Sequence, residues 1–259
     1  MPTPVPYGVP EAHSSIDALY DGLQFPEPPR GRPYVAINMV STVDGKVTID
    51  GRSYPVGSDT DHKLMRKIRA PVDMVMVGAG SLRAEDINFS LPADLQELRL
   101  VRGLTPHPIA AVVSASGDLP LDRKFFLSGD FESIVFTSKQ AGQARIRQLE
   151  NYSRVIVIGE NDVDLQRLMK VLRGRLGVRR LLVEGGPTLN FSLIDAGYVD
   201  ELFCTIAPKM LGGRGPTMVE GKGMGASRIA RLRLISAFTY ADELYLRYGF
   251  TSQASTNQA

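Results

Sequence analysis

Tryptophan is absent from this 259-residue chain, cysteine occurs once and histidine three times. A single thiol, Cys204, excludes an intrachain disulfide and a cysteine-rich metal site. It lies in the apolar run Leu202-Phe203-Cys204-Thr205-Ile206, which marks it as a small core residue rather than a catalytic thiol. His13, His62 and His107 are far apart and lack metal-ligand spacing, so no metal site is expected. The same scatter disfavours a Ser/His/Asp triad. No run of 18 or more apolar residues occurs, and the first residues lack the apolar core of a signal peptide. A cytoplasmic location without membrane contact is therefore expected. An excess of either charge is also lacking: 30 basic and 28 acidic residues leave a net value of +2, which gives no nucleic-acid footprint. The one basic cluster, Arg173, Arg175, Arg179 and Arg180, has no interleaved aromatics and reads as a solvated surface.

What the chain does contain is a strand-helix alternation. Hydrophobic residues make up 43%, enough for a sizeable core in one large domain or two small ones. Strands are expected at 34–39, 74–77, 109–113, 134–136, 155–158, 180–183 and 201–206. Helices are expected at 59–69, 140–149, 164–173 and 188–196. The first helix has the fullest signature. Ser58 can cap it, Asp59 and Asp61 suit its positive end, Arg66, Lys67 and Arg69 suit its negative end, and Pro71 stops it. Gly197 is a natural end for the last. The pattern predicts an α/β fold with a mostly parallel sheet and helices on both faces. Residues 232–237 and 243–248 are too close for a helical crossover and should form an antiparallel edge. Residues 1–31, rich in proline, read as an extension, 32–249 as the domain and 250–259 as a flexible tail.

Four segments can carry chemistry. The most informative is Leu181-Leu182-Val183-Glu184-Gly185-Gly186-Pro187-Thr188-Leu189, an apolar strand that ends at a carboxylate, turns through two glycines and enters a helix. Ligands of parallel sheets bind at the carboxyl ends of strands, and a glycine turn at a helix N-terminus suits an anion. Met74-Val75-Met76-Val77-Gly78-Ala79-Gly80-Ser81 is a second strand running into a glycine turn, without the full dinucleotide fingerprint because Arg83 stands where its third glycine belongs. Asn38 through Lys46 includes the turn signal Asp44-Gly45. Ala207 through Gly215 looks like a phosphate loop but lacks the Gly-Lys-Ser/Thr ending and reads better as a connection.

In combination, Pro33-Tyr34-Val35 through Val43-Asp44-Gly45-Lys46, Lys67-Ile68-Arg69-Ala70 with Asp73, Val77 through Ser81, Glu184 through Leu189, and Gly197-Tyr198-Val199-Asp200-Glu201-Leu202 with Ala207-Pro208-Lys209 resemble the riboflavin-pathway pyrimidine reductases. The resemblance covers about residues 32–249. It implies a dihydrofolate-reductase-like fold, NADPH as cofactor, a homodimer, and reduction of a ribosylaminopyrimidine 5′-phosphate to its ribitylamino product. It implies cofactor contacts from Val40, Thr42, Gly78, Gly80, Ser81, Glu85, Ser114, Gly185, Gly186, Pro187, Thr188 and Leu189. Substrate contacts fall to Asn38, Ser53, Arg69 and Glu184. The proton that accompanies the hydride is expected from Asp44 or Glu184, the carboxylates nearest the implied reaction centre, or from water. Thr137, Ser138 and Lys139 are candidate ligands for a 2′-phosphate.

The departures matter as much. Pro92 stands where bifunctional relatives carry an arginine that helps hold the substrate phosphate, and Arg52 or Lys46 are candidate substitutes. Pro55 stands where some relatives carry a tryptophan that stacks on the cofactor. No zinc-deaminase motif is present. Two alternatives therefore stay open: a reductase of another heterocycle such as a dihydropterin, and a non-catalytic nucleotide-binding protein.

Overall fold

The computed structural model describes residues 16–251. Nine strands form one sheet: β1 (Tyr34–Thr42), β2 (Met74–Gly78), β3 (Ile109–Val113), β4 (Ser133–Thr137), β5 (Arg154–Val157), β6 (Arg180–Val183), β7 (Glu201–Ala207), β8 (Arg231–Tyr240) and β9 (Glu243–Thr251). Their order is β5-β4-β3-β2-β6-β1-β7-β9-β8. The first seven run parallel. β9 pairs antiparallel with both β7 and β8, so the two expected edge segments do form an antiparallel pair. A purely parallel core must be covered on both faces. All five residues of β2 are buried accordingly.

Alternation along the strands sorts the core into two layers. Val75, Val77, Ala110, Val112 and Leu182 pack on one side with Ile68, Phe89 and Phe125. Met74, Met76, Ala111, Ile134 and Val183 pack on the other with Leu168, Leu172 and Leu193. The covering helices are α1 (Asp59–Arg69), α2 (Ala79–Ala84), α3 (Ala93–Val101), α4 (Lys124–Leu127), α5 (Gly142–Glu150), α6 (Leu165–Lys170) and α7 (Pro187–Asp195). α1 has the expected bounds, and Ser58 Oγ accepts from the Asp61 N–H at 3.1 Å, as its capping role requires. The backbone after α7 turns at Gly197 with φ of 72°, where a side chain would be strained. The helices α2, α3 and α4 have no counterpart in the sequence expectations; they are too short for a periodic signal. The segment expected at 164–173 is α6 followed by a π-helical turn, Val171–Arg175.

The domain begins earlier than residue 32. Leu19, Leu23 and Phe25 are buried. Phe25 meets the rings of Tyr34 and Phe203, and the Arg247 guanidinium lies 6.0 Å from its centroid. Residues 16–31 thus contribute to the packed domain, as an extension that covers a surface. Residues 1–15, with His13, and residues 252–259 lie outside the described residues. Phe250 and Thr251, assigned to the tail from sequence, pair in register with Leu232 and Arg231. Among the described residues, no helix is long and apolar enough to cross a membrane, and no group of three or more His, Cys, Asp or Glu side chains is placed to hold a metal.

Candidate active site

A cleft of about 1150 Å³ opens along the carboxyl ends of β1, β2, β3 and β6. Its position follows from topology. β6, late in the chain, inserts between β1 and β2, so segments remote in sequence deliver their strand ends to one place.

Two glycine turns form one wall. Gly78 donates its N–H to the Gly185 carbonyl at 2.8 Å, which locks the end of β2 against the turn after β6. A Cβ on Gly78 would come within 3.2 Å of the Gly186 nitrogen, and one on Gly186 within 3.1 Å of Ser81 Oγ. Gly185 has φ of 81° and faces Met39 Sδ, where a Cβ would sit 3.2 Å away. Glycine at 78, 185 and 186 lets these turns approach this closely. Gly186 caps α7 and Pro187 opens it, leaving the N–H groups of Thr188 and Leu189 without intrahelical partners. Gly78, Gly80, Ser81, Ser114 and Gly185 through Leu189, the residues expected to contact a cofactor, all line the cleft.

The opposite wall is α1, and the two walls meet in an ion pair. Arg69 donates Nε to Glu184 Oε1 at 2.7 Å and Nη2 to Oε2 at 2.6 Å. Its remaining nitrogen, Nη1, donates to the Asn88 carbonyl at 2.7 Å, and the guanidinium lies 5.5 Å from the Phe89 centroid. The pair is largely desolvated, with side-chain exposures of 2% and 9%. A carboxylate has about four lone-pair sites, so Glu184 keeps acceptor capacity toward the cleft while Arg69 holds it in place. That geometry suits an orienting acceptor better than a proton donor.

Asn38, Val40, Ser53 and Glu85 also line the cleft. Ser53 and Glu85 satisfy one another, however. The Glu85 carboxylate accepts from the Ser53 N–H, from Ser53 Oγ at 3.1 Å and from the Tyr54 N–H at 2.9 Å. Glu85 thus fastens Ser53 and Tyr54 beside it in the cleft lining.

Thr42 and Asp44 fall elsewhere, contrary to expectation. Neither lines the cleft. Thr42 is 1% exposed and donates to Asp44 Oδ1 at 2.6 Å. Asp44 also accepts from the Leu211 and Gly212 N–H groups at 3.1 and 2.7 Å. The Thr42 hydroxyl and these two N–H groups lower its pKa to about 2, so it carries no proton to donate near neutrality. It is a clamp between two loops. The two substitutes considered for the missing arginine also fail: Arg52 is exposed outside the cleft, and Lys46 Nζ donates to the Gly215 carbonyl at 3.4 Å. Thr137 and Ser138 turn their hydroxyls to the Ala115 carbonyl, and Lys139 pairs with Glu160 at 2.8 Å, all outside the cleft.

Of the cleft face of α1, sequence reasoning named only Arg69. Asp61, His62, Met65 and Arg66 border the cavity as well. The spacing 61, 65, 69 was available in the sequence, but the acidic and basic ends of the helix explain the same residues through its dipole. His62 is buried and stacked on Tyr54, centroids 3.9 Å apart, and its Nδ1 has no hydrogen-bond partner. Among the cleft's cations, Arg69 is paired with Glu184, Arg83 donates to the Asp118 carbonyl, and Lys124 Nζ lies 4.0 Å from Asp86. Arg66 shows no such polar partner among the described residues and is the cation left for a ligand.

Known proteins fit this geometry. A protein from Archaeoglobus fulgidus named 2,5-diamino-6-ribosylamino-4(3H)-pyrimidinone 5′-phosphate reductase is 35% identical over 194 residues, covering 74% of this chain and 88% of its own. One of the same name from Methanothermobacter thermautotrophicus is 31% identical over 219 residues, covering 84% and 98%. Among solved structures, a pyrimidine reductase-like protein from Corynebacterium diphtheriae superposes with a TM-score of 0.75 at 24% identity, over 85% of this chain and 92% of its own. The riboflavin biosynthesis reductase Rib7 of Saccharomyces cerevisiae gives 0.65 at 16% identity, over 89% and 94%, and these two likenesses bear on the fold. The RibD C-terminal domain model matches residues 33–246, a span that holds both glycine turns, the Arg69–Glu184 pair and eight strands in full, and the chain belongs to that family.

Proposed function

We propose that this protein is an NADPH-dependent oxidoreductase that reduces a ribosylaminopyrimidine 5′-phosphate to the ribitylamino product in riboflavin biosynthesis. The observation that carries the reading is the junction of a glycine-lined groove with the Arg69–Glu184 pair. A dinucleotide fits the donors present: two glycine turns packed closely against each other along the cleft, free N–H groups at the start of α7, and Ser114 farther along the groove. Bound there, the reduced nicotinamide would supply the hydride. The chain's own residues do the rest. Gly78, Gly80, Ser81 and Gly185 through Leu189 hold the cofactor. Glu184 accepts from ring N–H and amino groups of the diaminopyrimidinone, and Arg69 fixes its orientation. Arg66 receives the substrate phosphate in place of the arginine absent at Pro92.

Steady-state oxidation of NADPH tests this, with the ribosylaminopyrimidine phosphate compared against dihydrofolate. Turnover with the phosphate substrate is expected; turnover with dihydrofolate alone would move the assignment to a pterin reductase. The preference for NADPH rests on family membership, and the ratio of kcat/KM for NADPH and NADH measures it. A homodimer is part of the same reading. Exposed Leu232, Leu234 and Ile235 on the outermost strand β8 support a contact there, and the mass in solution of the Leu234→Asp variant tests it.

A further inference from the structure

The reduction needs a proton as well as a hydride, and neither carboxylate expected to give it is suited to the task. Asp44 is outside the cleft, and Glu184 is engaged through both oxygens. The other cleft carboxylates are also held as acceptors. Glu85 takes the N–H groups of Ser53 and Tyr54, Asp86 takes the Lys124 N–H at 2.7 Å, and Asp162 takes the Val163 N–H at 2.7 Å. Asp61 differs. It is 8% exposed, borders the cleft from the first turn of α1, and meets the hydroxyl of Thr205. Thr205 is the register partner of Val40, the cleft residue near the end of β1, so the Asp61 carboxyl lies one strand from that wall. The chain keeps space for it: a Cβ on Gly57 would come within 2.3 Å of Asp61 Oδ2.

We infer that Asp61 is the proton donor of the reaction, an assignment that rests on the proposed reduction of a ribosylamine. The step balances as follows. The bond from the sugar's C1 to its ring oxygen breaks. The new C1–H bond takes a hydride that a reduced nicotinamide bound in the cleft would supply, itself becoming oxidised. The freed oxygen takes the proton of the Asp61 carboxyl. Asp61 is left as a carboxylate, which solvent reprotonates through the cleft.

The surroundings shift the Asp61 carboxyl toward its protonated form. Burial raises the Asp61 pKa from 3.8 to about 6; the Thr205 hydroxyl opposes the rise, Glu243 and Glu184 add to it, and Lys209 opposes it. Lys209 spends its ammonium on the Pro55 and Val56 carbonyls at 2.8 and 2.9 Å. Glu243 binds Ser58 Oγ at 2.6 Å and the Tyr245 hydroxyl. Tyr20 from the N-terminal segment and Cys204 from β7 complete the enclosure, and burial pushes both of them up, so neither is ionised near neutrality. His62, next in the chain, is pushed down by burial and is neutral there too.

The test compares the pH dependence of kcat in the unaltered protein, Asp61→Asn and Thr205→Val, alongside an NMR titration of carboxyl-labelled aspartates without ligand. The unaltered protein should lose kcat as pH rises through about 6. Asp61→Asn should lose roughly 100-fold or more in kcat, with KM changed little and that limb gone. Thr205→Val removes a hydroxyl that favours the carboxylate, so it should remain active with the limb moved to higher pH. One aspartate resonance should titrate near the same pH and be missing from Asp61→Asn, whose fold is checked by thermal unfolding and NADPH binding. A kcat within threefold of the unaltered protein in Asp61→Asn, an unchanged limb in that variant, or a limb unmoved in Thr205→Val overturns the inference while leaving the reductase reading intact. A limb that survives in Asp61→Asn and disappears in His62→Asn assigns the proton to His62 instead. No turnover of the ribosylaminopyrimidine phosphate by the unaltered protein overturns the substrate reading, and the donor assignment with it.

Discussion

Replacing Arg69 by methionine should be the most damaging conservative-volume change in the cleft. The substitution removes two hydrogen bonds of 2.7 and 2.6 Å to Glu184, a third of 2.7 Å to the Asn88 carbonyl, and the cation near Phe89. It also strands the Glu184 carboxylate on a wall where 9% of its side chain is exposed. Breaking a buried pair from one side costs about 3–5 kcal/mol, because the surviving charge loses its partner without regaining water. In a domain of this size each kcal/mol moves Tm by roughly 2–4 °C, so a fall of roughly 6–20 °C is expected. The double variant Arg69→Met/Glu184→Leu removes both charges and should recover much of that loss, giving a coupling of about 2–3 kcal/mol in a double-mutant cycle. Urea denaturation of the four proteins measures it. A single variant that costs less than about 1 kcal/mol, or a double variant equal to the sum of its singles, would place the pair among weak solvent-screened contacts and refute the argument.

Further outcomes follow from other contacts. Arg66→Ala should raise KM for the phosphate substrate roughly 10- to 100-fold, as expected for loss of one charge-assisted contact, and leave KM for NADPH unchanged; an equal effect on a substrate lacking the phosphate argues against the assignment. Gly186→Ala asks Ser81 Oγ, 3.1 Å from the added carbon, to give way, at about 1–3 kcal/mol of overpacking expressed as weaker NADPH binding by titration. Gly185→Ala adds left-handed strain at φ of 81° to a 3.2 Å contact with Met39 and should be the less stable of the two by thermal unfolding. Asp44→Asn should leave the pH dependence of kcat near neutrality unaltered. Because the folded-state pKa of Asp44 is lowered from 3.8 to about 2, its stabilising contribution is complete above pH 3.8 and lost as pH falls toward 2. The variant should therefore flatten the stability profile only in that acid window.

Much of the architecture was legible because a parallel sheet leaves a plain trace. Strands buried on both faces become short apolar runs, and β3 and β6 have their expected bounds for that reason. The turns at Gly78–Ser81 and Gly185–Leu189 were legible because glycine at a strand end is a backbone requirement visible in one residue. The errors have a common cause. Thr42 follows Asn38 and Val40 at a two-residue spacing that places all three on one face of a strand, yet the Asp44-Gly45 turn takes the Thr42 hydroxyl out of the cleft. Asp61 satisfied a local explanation, the positive end of a helix, so nothing in its neighbours disclosed the Thr205 hydroxyl or the cavity beside it.

The chain by itself determined the element types, their parallel alternation, the glycine turns and the family resemblance. The first three are set by periodicity or by backbone conformations that neighbouring residues impose, and the resemblance rests on the order of the motifs along the chain. Tertiary structure alone decided which carboxylates are anchored and which is left able to hold a proton. Asp44 is held by N–H groups 167 and 168 residues away, and Glu184 by an arginine 115 residues away. A side chain's charge state depends on the groups within a few ångströms and on the water removed around it, and only the folded sheet brings those groups together.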